Sequence, residues 1–353
     1  MSRRARACIL STWKRQVQAH DLTLCLKDAL RLVLRCEPTL QKSWANEYAP
    51  LTLTHRCRIM TSADNLISRV GRREGEATLI QETGRLLASL RQQAQIESLG
   101  MNEECFAITS LVKIQAQFRP SEHDSPYSDV IVVAQTTGSG SCYCYCEDPV
   151  MPTDILGADA RYIQPESRCV EIAVLDAAYS NLLPVPDILC NLEGTPTQKA
   201  KARASLITAE IQRLAQKAGH RLPSITMVGA VGNLLSDIVS LGWQVHATDL
   251  DPALVGKRLA GILVEEGHSM TLERVSQSHI ALVTGMTLST GTLEDIVLAG
   301  KSNDTRIAVF AQTGGNFAGE LLKMGVDCVI SEEYPFYMFP GVTKLRIFRA
   351  NGS

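Results

Sequence analysis

From residue 222 onward, short apolar runs alternate with amphipathic stretches. The runs predict strands at 224–229, 243–248, 279–284, 306–311, 326–330 and 343–349, and the stretches between them predict helices at 231–241, 252–265, 291–299 and 316–324. Runs with few polar interruptions suit strands covered on both faces. Regular strand–helix alternation predicts a parallel, doubly wound sheet. Upstream the pattern changes. Residues 106–118, 130–135 and 142–146 read as strands of a small antiparallel sheet, separated by turn-rich segments at 120–126 and 137–141. Helices are expected over 169–183, stopped by Pro184 and Pro186, and over 198–217. Apolar residues at helical spacing over 22–34 and 76–95 make the first hundred residues helical. The expected fold class is α/β. A Rossmann-like doubly wound sheet fills the C-terminal half, with a helical N-terminal region and a small antiparallel sheet before it. Three segments follow: 1–104, helical and suited to a lid; 105–218, small and α+β; and 219–353, Rossmann-like and nucleoside-binding.

The densest chemistry lies at 224–251. An apolar run ends in the turn Gly229-Ala230-Val231-Gly232-Asn233, a helix follows, and a second run ends in Asp249. Strand, glycine turn, helix, strand and acid make the opening unit of a nucleotide site. The glycines admit the ligand to the backbone, the helix start offers free N–H groups, and the acid accepts from ribose hydroxyls. Only G-x-x-G is present, whereas a pyrophosphate favours G-x-G-x-x-G. This weakens a dinucleotide and leaves room for a nucleoside without phosphate, of which S-adenosylmethionine is the commonest. A plain tight turn is the competing reading. The carboxyl ends of the expected strands select the loops 229–233, 249–251, 284–292 and 312–316 as the ligand-facing ones.

Composition narrows the picture. The 353 residues are 45% hydrophobic and 20% charged, as in an ordinary globular protein, and the net charge of −2 gives no electrostatic case for nucleic acid. No apolar run reaches membrane-spanning length, and the basic start (Arg3, Arg4, Arg6, Lys14, Arg15) is not followed by a signal-type apolar region. The odd count of 11 cysteines suits a reducing cytoplasm. Cys142, Cys144 and Cys146 alternate, which on a strand aligns three sulfurs on one face, yet no C-x-x-C pair accompanies them. A half-buried strand with thiols on one side and tyrosines on the other competes with a metal site.

The segment Ala281-Leu-Val-Thr-Gly-Met-Thr-Leu-Ser-Thr-Gly-Thr-Leu-Glu-Asp-Ile-Val resembles the Rossmann-like heavy-metal-chelation domain family. So do Phe310-Ala-Gln-Thr-Gly-Gly, Leu322-Lys-Met-Gly-Val-Asp-Cys-Val and Val170-Glu-Ile-Ala-Val-Leu-Asp-Ala-Ala-Tyr-Ser-Asn-Leu, over roughly residues 168–330. The glycine turn lacks the prolines frequent in that family. The aromatic segment Glu332-Glu-Tyr-Pro-Phe-Tyr-Met-Phe-Pro-Gly341 is also unexpected in a chelator. Turn and aromatic segment together resemble a narrower group, the S-adenosylmethionine-consuming synthases of azetidine-2-carboxylic acid, with a layout similar to nicotianamine synthase.

That resemblance implies a lyase or alkyl-transferring enzyme of non-proteinogenic amino acid biosynthesis. S-adenosylmethionine would be its substrate, its aminocarboxypropyl arm cyclised with release of methylthioadenosine. A methyl- or aminocarboxypropyl-transferase and a metal- or metal-chelate-binding protein are the alternatives. Tyr179 is the candidate for the sulfonium and Asp176, three residues earlier on the same helical face, for the amine. A core tyrosine and an ordinary carboxylate are the competing readings. Gly229, Gly232, Asn233 and Asp249 are expected at the nucleoside, with Asp251 as the alternative acid. Thr284, Thr287 and Ser289 are expected at adenine or the carboxylate, unless the hydroxyls of that loop only cap a helix through Thr290 or Thr292 with Glu294 or Asp295. Tyr334, with Phe336 and Tyr337 behind it, forms an aromatic wall, a packing plug or a dimer contact, and Ser139 and Ser141 are near enough to contribute. No metal is expected, and no pyridoxal phosphate, because Lys113, Lys257 and Lys301 have no pocket-like context. The partner is a small molecule, with neither nucleic acid nor membrane, and a homodimer is allowed. A cytoplasmic location is expected.

Overall fold

The computed structural model describes residues 85–118, 127–145 and 148–350, all within the unit Glu76–Ser353. The expected helix over 22–34 and the start of the one over 76–95 lie outside the described residues; from residue 85 that second helix is present as α1, 85–97. A one-turn helix, Glu103–Phe106, leads into a three-stranded antiparallel sheet of β1 (Ser110–Phe118), β2 (Tyr127–Gln135) and β3 (Ser139–Cys144), in that spatial order. Helix α2 (Arg168–Tyr179) follows, its N-terminal amide at Val170 accepted by the Ser167 hydroxyl. Apart from Glu171, its residues from Cys169 to Tyr179 are buried, because it packs on β2 and β3 and joins the core of the larger sheet. Gly140 lets β3 approach so closely: a Cβ there would lie 2.0 Å from the Ala177 nitrogen.

The larger sheet has nine strands in the order β4-β12-β11-β10-β9-β5-β6-β8-β7. These are β4 (Ile188–Leu192), β5 (Ser224–Val228), β6 (Gln244–Asp249), β7 (Arg258–Leu259), β8 (Ile262–Glu266), β9 (Ile280–Thr284), β10 (Arg306–Ala311), β11 (Cys328–Glu332) and β12 (Thr343–Arg349). Strands β8, β6, β5, β9, β10 and β11 are mutually parallel, whereas β12 is antiparallel to both its neighbours. The α/β, Rossmann-like expectation therefore holds. Along β9 every residue is buried. Ile280 and Leu282 join one core, and Ala281 and Val283 join the other, so the apolar run needs no polar alternation. Helices α3 (Pro196–Lys217) and α4 (Gly232–Val239) cover the first face. Helices α5 (Gly267–Gln277), α7 (Leu293–Lys301) and α8 (Ala318–Met324) cover the second, and the short α6 (Met286–Thr290) caps the end of β9. Fully burying each Ile, Leu or Val of these faces contributes about 1.5–3 kcal/mol. Helix α3 begins in a capping box, with the Thr195 hydroxyl accepting from the Gln198 amide and the Gln198 side chain accepting from the Thr195 amide.

Two expectations fail in detail. The helix over 252–265 is absent. Its place is taken by the hairpin β7–β8, which turns at Ala260 (φ 49°) and Gly261 (φ 84°), both at the positive φ that a two-residue primed turn requires. Strand β4 was not foreseen. It pairs antiparallel with β12, so residues ahead of 219 belong to the Rossmann-like sheet itself.

Candidate functional site

Chain order along the large sheet reverses between β5 and β9, since β6 and β8 lie on one side of β5 and β9, β10 and β11 on the other. Loops leaving the carboxyl ends of two such strands part in opposite directions and open a crevice. A pocket of about 210 Å³ lies there, against Val228 and Gly229 of the first loop, Thr248, Asp249 and Leu250 of the second, and Thr284. Gly267, His268, Thr271 and Leu272 from the start of α5 line it too, with Met286, Thr287, Thr290, Thr292, Asp295 and Ile296 of α6 and α7, and Tyr145 beyond β3. This is below the roughly 300–1,000 Å³ of drug-sized sites.

Gly229 holds φ at 86°, and a Cβ on it would lie 2.3 Å from the Thr284 hydroxyl, so both conformation and space exclude a side chain. Its N–H donates to the Thr248 carbonyl at 2.9 Å. The Asp249 carboxylate clasps this turn. Oδ2 accepts from the Ala230 N–H at 2.7 Å and Oδ1 from the Asp251 N–H at 2.8 Å. Each carboxylate oxygen can accept a second hydrogen bond. Among the lining residues there is no lysine or arginine, whereas Asp249 and Asp295 are both present. Hydroxyls dominate the remainder, and Thr271 donates to Thr248 Oγ1 at 2.9 Å. Such a lining suits a neutral or cationic ligand that offers hydroxyls and an apolar ring; it opposes a phosphate.

Gly229, Asp249, Thr284 and Thr287 thus line one pocket. Gly232 and Asn233 begin α4 and do not line it, and a Cβ on Gly232 would have nothing within 4 Å. Ser289 turns to the small sheet, donating to the Tyr143 carbonyl at 2.7 Å. Tyr334 packs in the aromatic segment, its ring centre 5.7 Å from Phe336 and 5.3 Å from Phe339. The expected capping bond of Thr292 is not made; its hydroxyl lies 3.0 Å from that of Thr290, and both residues face the pocket. Tyr179 and Asp176 are elsewhere. The Tyr179 hydroxyl donates to the Leu90 carbonyl at 2.8 Å and its ring meets Phe317 edge-on at 5.2 Å, so it is spent on joining α1 to the core. Asp176 is buried, and it accepts from the Ser141 N–H at 2.9 Å and the Asn316 N–H at 2.8 Å. Burial pushes its carboxyl up to about 7, against the pull of those two amides. It fastens β3 and the loop after β10 to α2.

Cys142 and Cys144 face α2, and Tyr143 faces the aromatic segment, so thiols and tyrosine take opposite sides as the alternation requires; Cys146 lies outside the described residues. Burial pushes the Cys142 thiol well above its ordinary range. Among the described residues no three His, Cys, Asp or Glu side chains are grouped to hold a metal ion, and no helix among them is long and apolar enough to cross a membrane.

Sequence reasoning missed a buried polar cluster beside the pocket. Arg203 of α3 donates to Glu332 at the end of β11 at 3.0 Å, and its guanidinium lies 4.0 Å from the Tyr337 ring centre and 5.0 Å from that of Phe310. Glu332 also accepts from the Gln312 side chain at 2.6 Å and the Tyr337 N–H at 2.6 Å. The one sequence signal was a carboxylate closing an apolar strand, Cys328–Glu332, at the ligand-facing end of the sheet.

No family model matches the chain, and no curated protein matches it. Among solved structures it is similar to a protein of unknown function from the DUF364 family of Desulfitobacterium hafniense DCB-2. The TM-score is 0.43 at 13% identity, over 70% of this chain and 87% of that one. A DUF364 protein of unknown function from Pyrococcus horikoshii gives 0.44 at 12%, over 75% and 99%. The MycE methyltransferase of the mycinamycin biosynthetic pathway gives 0.24 at 11%, over 78% and 93%. Likenesses this distant carry neither family nor function, so the functional argument rests on the pocket.

Proposed function

We propose that this chain binds S-adenosylmethionine and consumes its aminocarboxypropyl arm, closing it to azetidine-2-carboxylic acid and releasing methylthioadenosine. One observation carries the reading: the crevice at the β5/β9 reversal is built on Gly229 and Asp249, lined by hydroxyls and two carboxylates, and free of lysine and arginine. Asp249 accepts from the ribose hydroxyls, Gly229 gives the nucleoside access to the backbone, and the two carboxylates favour a sulfonium over a phosphate. Tyr145 is the aromatic face in the pocket. A cation held on such a face gains about 0.5–2 kcal/mol. The resemblance of the glycine turn and the aromatic segment to azetidine-2-carboxylic acid synthases points the same way.

In the reaction the neutral α-amine attacks Cγ, the Cγ–S bond breaks, and the sulfur leaves with its electron pair as a neutral thioether. The bound α-ammonium gives up one proton to a neighbouring carboxylate before it attacks as the neutral amine. The leaving group is already cationic and needs no acid. The work of the site is to fold the arm into a near-attack geometry, a legitimate source of several kcal/mol. Incubation with S-adenosylmethionine alone, read by mass spectrometry, tests this: methylthioadenosine and azetidine-2-carboxylate are expected in equal amounts. Adenosylhomocysteine as product, or turnover only with an added amine, refutes cyclisation in favour of transfer. No binding refutes the nucleoside reading.

A further inference from the structure

Next to the pocket stands a group of side chains that nucleoside binding leaves unused. Ile131 pairs opposite Tyr143 across β2 and β3, so the two share a face of the small sheet. Asp129, two residues before Ile131 on β2, shares it as well. Against this face pack Phe336, Tyr337 and Met286. Met286 also lines the nucleoside pocket, so pocket and cluster adjoin. The buried Arg203–Glu332 pair sits under Tyr337.

Tyr143 keeps 7% of its surface, and its hydroxyl has no hydrogen-bond partner among the described residues. A buried hydroxyl left without a partner is destabilising, and such groups in a native fold call for an occupant. Glu332 has both oxygens engaged by Arg203, Gln312 and Tyr337, so it holds Arg203 rather than a ligand. Arg203 is engaged by Glu332 and by Tyr337, and its planar guanidinium keeps a positive charge of a shape suited to a carboxylate. Half-buried Asp129 adds a carboxylate to the same face.

Building on the nucleoside reading above, we propose that this cluster takes the amino-acid end of the substrate, its α-carboxylate on the Tyr143 hydroxyl and the Arg203 guanidinium and its α-ammonium facing Asp129. A cation and a hydroxyl donor on one side and an anion on the other match the charge order of an α-amino acid. Holding that end while the nucleoside sits on Gly229 and Asp249 bends the arm between two fixed points. Tyr143 and Asp129 then determine specificity for the amino-acid end.

Calorimetric titration with S-adenosylmethionine and, separately, with methylthioadenosine, which lacks that end, provides the test on wild type, Tyr143→Phe and Asp129→Asn. Each substitution is expected to weaken S-adenosylmethionine about tenfold or more, as loss of a hydrogen bond to a charged group does. Methylthioadenosine affinity should stay as in the wild type, and the melting temperature of Tyr143→Phe should be unchanged or higher. Equal weakening of both ligands, or of neither, overturns this assignment while leaving the nucleoside site standing. Wild type that binds neither ligand overturns both.

Discussion

Replacing Asp176 by asparagine should flatten a slope in the pH dependence of stability. The carboxyl is buried among α2, β3 and the loop after β10, and its two oxygens accept the Ser141 and Asn316 amides. Burial raises it from 3.8 to about 7. The folded chain therefore keeps a proton that the unfolded chain sheds above about 3.8. Its contribution is complete at low pH, is lost progressively as pH climbs from about 3.8 to about 7, and is level beyond. That step corresponds to about 4 kcal/mol, an order-of-magnitude figure. Asparagine cannot ionise, but its amide nitrogen would face one of the two N–H groups and leave it unmet, costing about 1–3 kcal/mol. The variant should thus be less stable than wild type at pH 5 and should close the gap, or overtake it, at pH 8. Urea unfolding of both proteins across that range, read as the difference between them, isolates this carboxyl from the histidines, which titrate in both. A difference that stays constant from pH 5 to pH 8 would refute the argument.

Gly229→Ala should lower the melting temperature and abolish nucleoside binding, because it adds a Cβ 2.3 Å from the Thr284 hydroxyl at φ 86°. Gly232→Ala, with open space at its Cβ, should be neutral or stabilising by up to about 1 kcal/mol; thermal melts and titrations of the pair decide whether both glycines matter or only the first. Tyr179→Phe loses the bond to the Leu90 carbonyl and should cost about 0.5–1.5 kcal/mol in denaturant unfolding, with S-adenosylmethionine affinity unchanged. A selective loss of affinity there would return Tyr179 to the site.

The sheet was legible where burial on both faces leaves a run without polar residues, as in Ile280–Thr284, and where glycine and proline punctuate the chain. The helix expected over 252–265 was misread because its apolar residues fit a helical period as well as a short hairpin. The deciding Ala260-Gly261 turn lacks the Asn-Gly or Asp-Gly pair that announces such turns. Of the site, Gly229 and Asp249 were readable because one local unit fixes both. Arg203 and Glu332 are 129 positions apart and meet only through packing of α3 on the sheet, which no local pattern encodes. Tyr179 and Asp176 were read as reactive from residue type and spacing. Their partners, Leu90 at one and Ser141 with Asn316 at the other, are distant in sequence, so the bonds that occupy them were invisible.

The place of β12 also sets an order of events during synthesis. β4 gains its neighbour only through β12, because β12 lies between β4 and β11. About 150 residues separate Leu192 from Thr343, so at roughly 5–20 residues per second β4 leaves the ribosome roughly eight to thirty seconds before its partner exists. During that interval its backbone groups are unpaired and Leu192, buried in the finished sheet, lacks its β12 neighbours. Slowing translation between these two strands should lengthen the time in which a nascent chain is open to chaperones, and to pairing with another copy of itself.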